Sequence, residues 1–446
     1  MNGYLTIAQS QPLRGEITLF GAKNAVLVII ASLCLTKGIS TLYNVPASAD
    51  VFEMLALLKI FGAIIFFDRE RHQLIVDTRT LCFFHVSSAT MRKTRASILI
   101  MGPLLARFGK ACVSFPGGDA IGKRPIDYHL KNFEKMGVII SYGIENNEEY
   151  IYASSEHLCG AHIILEYPSV GATENILMAA VCAQGTTKII NAACEPEVLD
   201  LIKVLQAMGA NISVVAPATI IVEGVAELNA IEHTIIVDRL EAGSLLIAAA
   251  ATGGEITIPN ALPDTMDVFL LKLEEMGHSI IRGGDGKGIH LKATQNPQAV
   301  SFKTGPYPGF PTDLQAPMMA LQCVAQGTSV IEETVFENRF HHAYELMKMG
   351  ASITIEYNKA KIVGVEYLQS ALVTAHDIRA STALIIAGFI AHGSTRVYGL
   401  HHWRRGYEKL EEKLNSLGAS ITTSNEESDA LIHAPNEKYD NRERYQ

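Results

Sequence analysis

Lysine and arginine recur where apolar helices should begin. The segments Gly21-Ala22-Lys23-Asn24, Thr94-Arg95-Ala96-Ser97, Ser169-Val170-Gly171-Ala172-Thr173, Asp238-Arg239-Leu240-Glu241, Pro311-Thr312-Asp313 and Asp377-Ile378-Arg379-Ala380-Ser381 each lead into a strongly apolar run. Free N–H groups and the positive dipole end make such helix starts good anion sites. Ser, Thr and Asp are ordinary caps there, and capping explains any one segment. It does not explain Lys and Arg, which the dipole disfavours at that end. A polyanionic ligand shared by several helix starts would correct the misfit.

Three loops add to this set. Phe310-Pro311-Thr312-Asp313 presents a carboxylate at a helix start. Val335-Phe336-Glu337-Asn338-Arg339 and Trp403-Arg404-Arg405-Gly406-Tyr407 present guanidiniums between a strand and an amphipathic helix. Surface ion pairs would explain each arginine alone. Their corresponding places in consecutive repeats favour one shared pocket.

The segment from Phe115 to His129 is rich in glycine and charge. It contains G-x-x-x-x-G-K over Gly117–Lys123, the core of a phosphate-binding P-loop. Arg124 and Pro125 follow where magnesium chemistry needs Ser or Thr, which argues against a nucleotide triphosphatase. Three glycines beside Asp119, Lys123 and Arg124 suit a mobile lid carrying charges. Gly283–Gly288 lies between two strand-like runs and reads as a hairpin turn. The pairs His341-His342 and His401-His402 lack metal-ligand spacing, so no metal is assigned.

These residues sit in a six-fold repeat. An amphipathic run ending in a large apolar residue and Gly recurs at Gly62, Gly137, Gly209, Gly277, Gly350 and Gly418, in steps of 68 to 75 residues. A helix closed by a left-handed glycine and followed by a strand gives this pattern. A second series, Gly38, Gly109, Gly185, Gly254, Gly327 and Gly393, ends runs too apolar for surface helices. Pro103 and Pro317 should kink two of these helices or delay their start. Each unit of about 70 residues then holds one buried and one amphipathic helix joined by short strands.

Composition narrows the class. The 446 residues are 48% apolar and 19% charged, which excludes disorder. A net charge of −9 leaves no basic excess for a general nucleic-acid binder. The longest apolar stretch, Ala25–Leu35, is broken by Ser32 and falls short of the ~18 residues that span a bilayer. The N-terminus lacks the basic region of a signal peptide. Seven cysteines without a C-x-x-C pair read as reduced thiols of a cytoplasmic protein. The polar tail after Ser424 should be disordered.

Taken in order, several motifs resemble the UDP-N-acetylglucosamine enolpyruvyl transferase family. They are Gly21-Ala-Lys23-Asn24-Ala25, the 116–127 loop, Ser169-Val170-Gly171-Ala-Thr173, Phe310–Asp313, Val335–Arg339, Asp377–Ser381 and Arg405-Gly-Tyr407-Glu408. The likeness runs from about residue 2 to about residue 422. It implies an inside-out α/β barrel fold of two lobes with three βαβαββ-like repeats each. Residues 22–236 would form the lobe carrying the lid (about 115–128). Residues 1–21 with 237–424 would form the other lobe, with 425–446 as a tail.

The implied reaction moves the enolpyruvyl group of phosphoenolpyruvate to the 3′-hydroxyl of UDP-N-acetylglucosamine and releases phosphate. It is the first committed step of bacterial peptidoglycan synthesis, and it needs no cofactor. By the same resemblance, Lys23, Asn24, Arg124 and Arg405 would hold phosphoenolpyruvate. Arg95, Arg124, Pro125, Ile126, Asp127, Tyr128, Tyr167, Pro168, Ser169, Val170, Asp313 and Val335 would line the UDP-sugar site. Arg339 and Arg379 would support lobe closure.

The chain departs from the family pattern at several positions. Asp119 stands where the lid cysteine, the target of fosfomycin, is usual, so resistance to that drug is expected. Tyr167 replaces a common Lys, Cys194 a common Arg, and Trp403-Arg404 an apolar-Asp pair. A transferase acting on shikimate phosphate and a catalytically silent UDP-sugar binder are the alternatives.

Overall fold

The computed structural model describes residues 3–82, 91, 95–115, 126–145 and 147–425. Asp119, Arg124, Pro125 and the tail from 426 on lie outside these residues, as does the Arg95 side chain.

Two hydrophobic cores organise the chain. One gathers buried side chains from Ala22 to Ile235. The other joins Leu5, Ile7, Leu13 and Leu19 to side chains from Leu240 to Ile421. Helices form the middle of each core. Lys23–Ser32, Val170–Ala180, Arg239–Ala251 and Ile378–Ile390 are buried over nearly their whole length. That burial is why no polar stripe shows in their sequences.

The sheets form the outside. In the first lobe their orders are Glu232–Thr234, Ile39–Tyr43, Gln73–Asp77, Ile64–Asp68; then Lys110–Ser114, Glu148–Ser154, Ile139–Glu145; then Asn211–Val215, Thr219–Glu223, Thr186–Ile190, His162–Ile164. Three further four-stranded sheets build the second lobe. In one of them Gly3–Ala8 lies antiparallel between Ser394–Tyr398 and Ile421–Asn425. The alternation of exposed and buried residues in Lys359–Val363 is that of a sheet with one wet face. The fold is thus inside-out, with buried helices and a sheet exterior, three repeats to a lobe.

The repeat markers behave as the pattern requires. Gly62, Gly137, Gly209, Gly277, Gly350 and Gly418 all have φ between 85° and 107°. The two prolines delay their helices. Arg95–Ile100 and Thr312–Leu314 are 3-10 turns, and the α-helices begin at Met101 and Gln315, which places Pro103 and Pro317 within the first turn. Ser279–Arg282 and Ile289–Lys292 form the hairpin expected around Gly283–Gly288. No described helix is long and apolar enough to cross a membrane.

Two chain segments link the lobes side by side. Ala22 donates its N–H to Ile236 at 2.7 Å, and Asp238 donates to Phe20 at 3.0 Å. The side chain of Asp238 then caps the helix Arg239–Ala251, and its second oxygen faces the Lys23 N–H at 3.4 Å. The helix starts that carry Lys23 and Arg239 therefore meet at this junction.

Candidate active site

Each described cation at a helix start already has a carboxylate partner. Lys23 opens the helix Lys23–Ser32, and its Nζ lies 3.2 Å from Asp50. Arg239 opens Arg239–Ala251 and donates from two nitrogens to Glu197, at 3.0 and 3.2 Å. Arg379, near the start of Ile378–Ile390, donates to Asp313 at 2.7 Å. The misfit between cation and dipole is thus answered within the protein.

Asp50 is the residue that sequence reasoning missed. It lies in the first turn of Ala49–Ile60, where the dipole favours an acid, and is 3% exposed. One oxygen meets Lys23, and the other accepts from Arg405 Nε at 3.0 Å. Lys23 and Arg405 come from different lobes, and Asp50 brings them together. Glu408 makes a second link across the lobes, accepting the Ala47 N–H at 2.6 Å. His72 Nδ1 lies 3.5 Å from the same carboxylate. The segment 405–408 therefore reaches to both sides. Tyr407, between Arg405 and Glu408, turns back and takes a hydrogen bond from Arg379 at 2.6 Å.

Asp313 is held from two directions. Arg339 donates to one oxygen at 2.6 Å and Arg379 to the other at 2.7 Å. Burial alone would raise its pKa, but the two guanidiniums outweigh it and hold the carboxyl well below the usual carboxylate range. A quarter of the Asp313 side chain still reaches solvent, while both arginines are nearly enclosed. The structure places Arg339 and Arg379 on Asp313 within the second lobe. Away from the junction, contacts between the lobes include those of Arg405, of Glu408, of Arg239 with Glu197, and of Glu195, which faces the Tyr307 N–H at 3.4 Å.

The segments expected to line the sugar-nucleotide site fall into two groups. Ile126 precedes the helix Asp127–Lys135, and Ser169 caps Val170–Ala180 through the Ala172 N–H. These helix starts are neighbours, since a Cβ on Gly171 would lie 3.4 Å from the His129 ring. Asp127 pairs with Lys131 at 3.2 Å, and Tyr128 packs against the first core. Pro168 lies between Tyr167 and Ser169. Val335 belongs to the second group and donates its N–H to Glu333. Tyr167 feels charge from both lobes. Burial pushes its phenol up to about 12, and the charges of Glu195 and Glu333, one from each lobe, push the same way. Asn24 is exposed beside Lys23.

The departures from the family pattern have local consequences. Trp403 is 2% exposed and donates to Glu411 at 3.0 Å, so it fills the second core. Arg404 points to solvent. The extra positive charge is therefore at the surface. Cys194 adjoins half-buried Glu195, near the buried acids Glu174 and Glu197, and Arg239 binds Glu197. Burial raises the Glu174 carboxyl well above its ordinary value, and the charges of Glu197 and Glu195 add to the rise.

Comparisons with known proteins place the chain in a family. The family model described as EPSP synthase (3-phosphoshikimate 1-carboxyvinyltransferase) matches residues 7–414. The chain is 48% identical over 421 residues to a UDP-N-acetylglucosamine 1-carboxyvinyltransferase 1 of Caldanaerobacter subterraneus, covering 94% of this chain and 99% of that one. It is 46% identical over 415 residues to a UDP-N-acetylglucosamine 1-carboxyvinyltransferase 2 of Carboxydothermus hydrogenoformans, covering 93% and 98%. Among solved structures, the enolpyruvyl transferase NikO from Streptomyces tendae superposes with a TM-score of 0.86 at 22% identity, covering 95% of this chain and 99% of that one. An EPSP synthase from Acinetobacter baumannii gives 0.74 at 18% identity, covering 95% and 100%. These two show the fold. The family model and the curated relatives establish that the chain belongs to the EPSP synthase family of enolpyruvyl transferases, alongside the UDP-N-acetylglucosamine 1-carboxyvinyltransferases.

Proposed function

We propose that this protein transfers the enolpyruvyl group of phosphoenolpyruvate to the 3′-hydroxyl of UDP-N-acetylglucosamine and releases phosphate. The reading rests on relatives of that name at 46–48% identity over nearly the whole chain. The structural observation that supports it is the meeting of Lys23 and Arg405, from opposite lobes, on Asp50.

In this reading the phosphate and carboxylate of phosphoenolpyruvate bind Lys23 and Arg405, which Asp50 holds together, with Asn24 and Arg124 completing the site. Charge-assisted bonds from both lobes would tie substrate binding to closure and keep out water, the rival nucleophile. Arg95, Arg124, Pro125, the 126–128 and 167–170 segments, Asp313 and Val335 receive the UDP-sugar.

Proton addition at the methylene carbon makes its neighbour electrophilic, and the sugar hydroxyl adds there. Loss of a methyl proton and of phosphate then restores the double bond. A carboxylate held as acidic as Asp313 is a poor base. Its first role is to accept the hydrogen bond of the attacking hydroxyl and aim the oxygen. Proton transfer to it follows as the hydroxyl acidifies on bond formation. Asp119, in the place of the usual cysteine, serves as the lid's proton donor and makes the enzyme insensitive to fosfomycin. The reaction belongs to cytoplasmic peptidoglycan synthesis.

Mass analysis of UDP-N-acetylglucosamine after incubation with phosphoenolpyruvate tests the reading. An enolpyruvyl adduct formed together with inorganic phosphate is expected. Recovery of the sugar nucleotide unchanged would contradict it.

A further inference from the structure

Glu333 follows the strand Thr328–Glu332 and is 2% exposed. No described lysine or arginine forms an ion pair with it. Its four donors are neutral. Oε1 accepts from the Thr304 hydroxyl at 2.9 Å, the Val335 N–H at 2.8 Å and the Phe336 N–H at 3.2 Å. Oε2 accepts from the Thr312 hydroxyl at 2.8 Å. A buried carboxylate tolerated without a cation needs such a shell of donors.

The Thr312 bond has a consequence beyond folding. A threonine hydroxyl has one proton to give. With that proton committed to Glu333, the oxygen of Thr312 is left to accept, and Arg339 Nη1 donates to it at 2.8 Å. The other terminal nitrogen of Arg339 reaches Asp313. A directed chain therefore runs from Glu333 through Thr312 and Arg339 to Asp313.

We propose that Glu333 is a positioning residue for the acceptor half of the reaction. It orients the Thr312 hydroxyl so that Arg339 stays on Asp313, and it thereby sets both the place and the acidity of the carboxylate that meets the attacking hydroxyl. The same carboxylate fixes the Val335 loop, so one side chain aligns two walls of the sugar-nucleotide site. This rests on the reading that Asp313 faces the acceptor.

Glu333→Gln tests the chain because its conflict can be located. The N–H groups of Val335 and Phe336 can only donate, so they hold the amide oxygen at the Oε1 position. The amide NH2 is then aimed at Thr312. Thr312 then loses the acceptor that fixes its proton, and the lone pair aimed at Arg339 is no longer held in place. Thr312→Val removes the same link and leaves Glu333 its other three donors, whereas Thr312→Ser keeps the link.

Steady-state kinetics would be run on the full chain with each substrate varied, across pH, with melting temperatures for every variant. Glu333→Gln and Thr312→Val should each lower kcat/KM for UDP-N-acetylglucosamine by at least about tenfold. KM for phosphoenolpyruvate should move less than about threefold. The acid limb of the pH profile should shift toward neutral as Asp313 loses part of its cation. Thr312→Ser should stay near wild type, and the double variant Glu333→Gln/Thr312→Val should be no worse than either single one. If Glu333→Gln fails to fold, the Thr312 pair carries the test. An active wild type whose variants weaken both substrates alike, with an unmoved acid limb, would overturn the proposal alone. A wild type inactive with UDP-N-acetylglucosamine would overturn the functional reading and the proposal with it.

Discussion

Asp50 and Arg405 are 355 residues apart in sequence and 3.0 Å apart in space, on opposite lobes. The same carboxylate holds Lys23. Two cations that would repel one another are thus kept together by one buried acid, at the proposed phosphoenolpyruvate site. Asp50→Asn leaves the volume and removes the charge. A charged hydrogen bond contributes about 1.5–3 kcal/mol, so kcat/KM for phosphoenolpyruvate should fall by about 10- to 150-fold. Steady-state kinetics with phosphoenolpyruvate varied would check it. An unchanged kcat/KM would mean that Lys23 and Arg405 bind substrate without help from Asp50.

Asp313 should show its two arginines in stability as well as in rate. Its carboxyl is held below the ordinary range, so its contribution is present above the unfolded value of about 3.9 and lost as pH falls through the depressed folded value. Asp313→Asn should therefore flatten the acid side of the stability curve below about pH 4 and leave its shape near pH 7 unaltered. Denaturant unfolding at a series of pH values reads this directly. The same substitution should reduce kcat by roughly 10²–10⁴ if the carboxylate takes the hydroxyl proton. A loss confined to KM would reduce its role to binding.

The acidic group beside Cys194 gives the opposite sign. Glu174 is buried, and Glu197 and Glu195 lie close, so its carboxyl is raised. A raised group contributes stability that is complete below its unfolded value, about 4.3, and lost as pH rises through its folded one. Glutamine mimics the protonated form. Glu174→Gln should raise the melting temperature at pH 8 and change it much less at pH 4. Equal shifts at both values would show that the carboxyl is not held protonated.

Much of this arrangement can be read from the chain. The repeat is visible because a left-handed glycine is needed each time an amphipathic helix gives way to a strand, as at Gly137 and Gly350. The buried helices are visible because no solvent face interrupts them. Lys23, Asp313 and Arg405 stand out by residue type at helix starts and loops. Asp50 and Glu333 do not. Asp50 looks like any acid in a first helical turn, and Glu333 like the polar end of a strand. Their importance lies in partners from distant repeats, which local patterning does not encode. For the same reason the pairing of Arg339 and Arg379 on Asp313 emerges only with tertiary packing.

Asp119 carries a prediction from chemistry alone. A thiol near pKa ~8.5 is alkylated by fosfomycin as its thiolate, whereas a carboxyl near ~3.9 is a far weaker nucleophile. The wild-type protein should keep full activity after prolonged incubation with the drug, and Asp119→Cys should be inactivated with time. The cysteine variant should also move its pH–rate profile to higher pH. Covalent modification of wild-type Asp119, or a profile unmoved in the variant, would refute this account of the lid.

The central claim is acceptor identity, and the most direct measurement is phosphate release from phosphoenolpyruvate with UDP-N-acetylglucosamine, with shikimate 3-phosphate, and with neither. The account predicts release that requires UDP-N-acetylglucosamine and is absent in the other two samples. Release with shikimate 3-phosphate instead, or none in a protein that still binds UDP-N-acetylglucosamine, would contradict it.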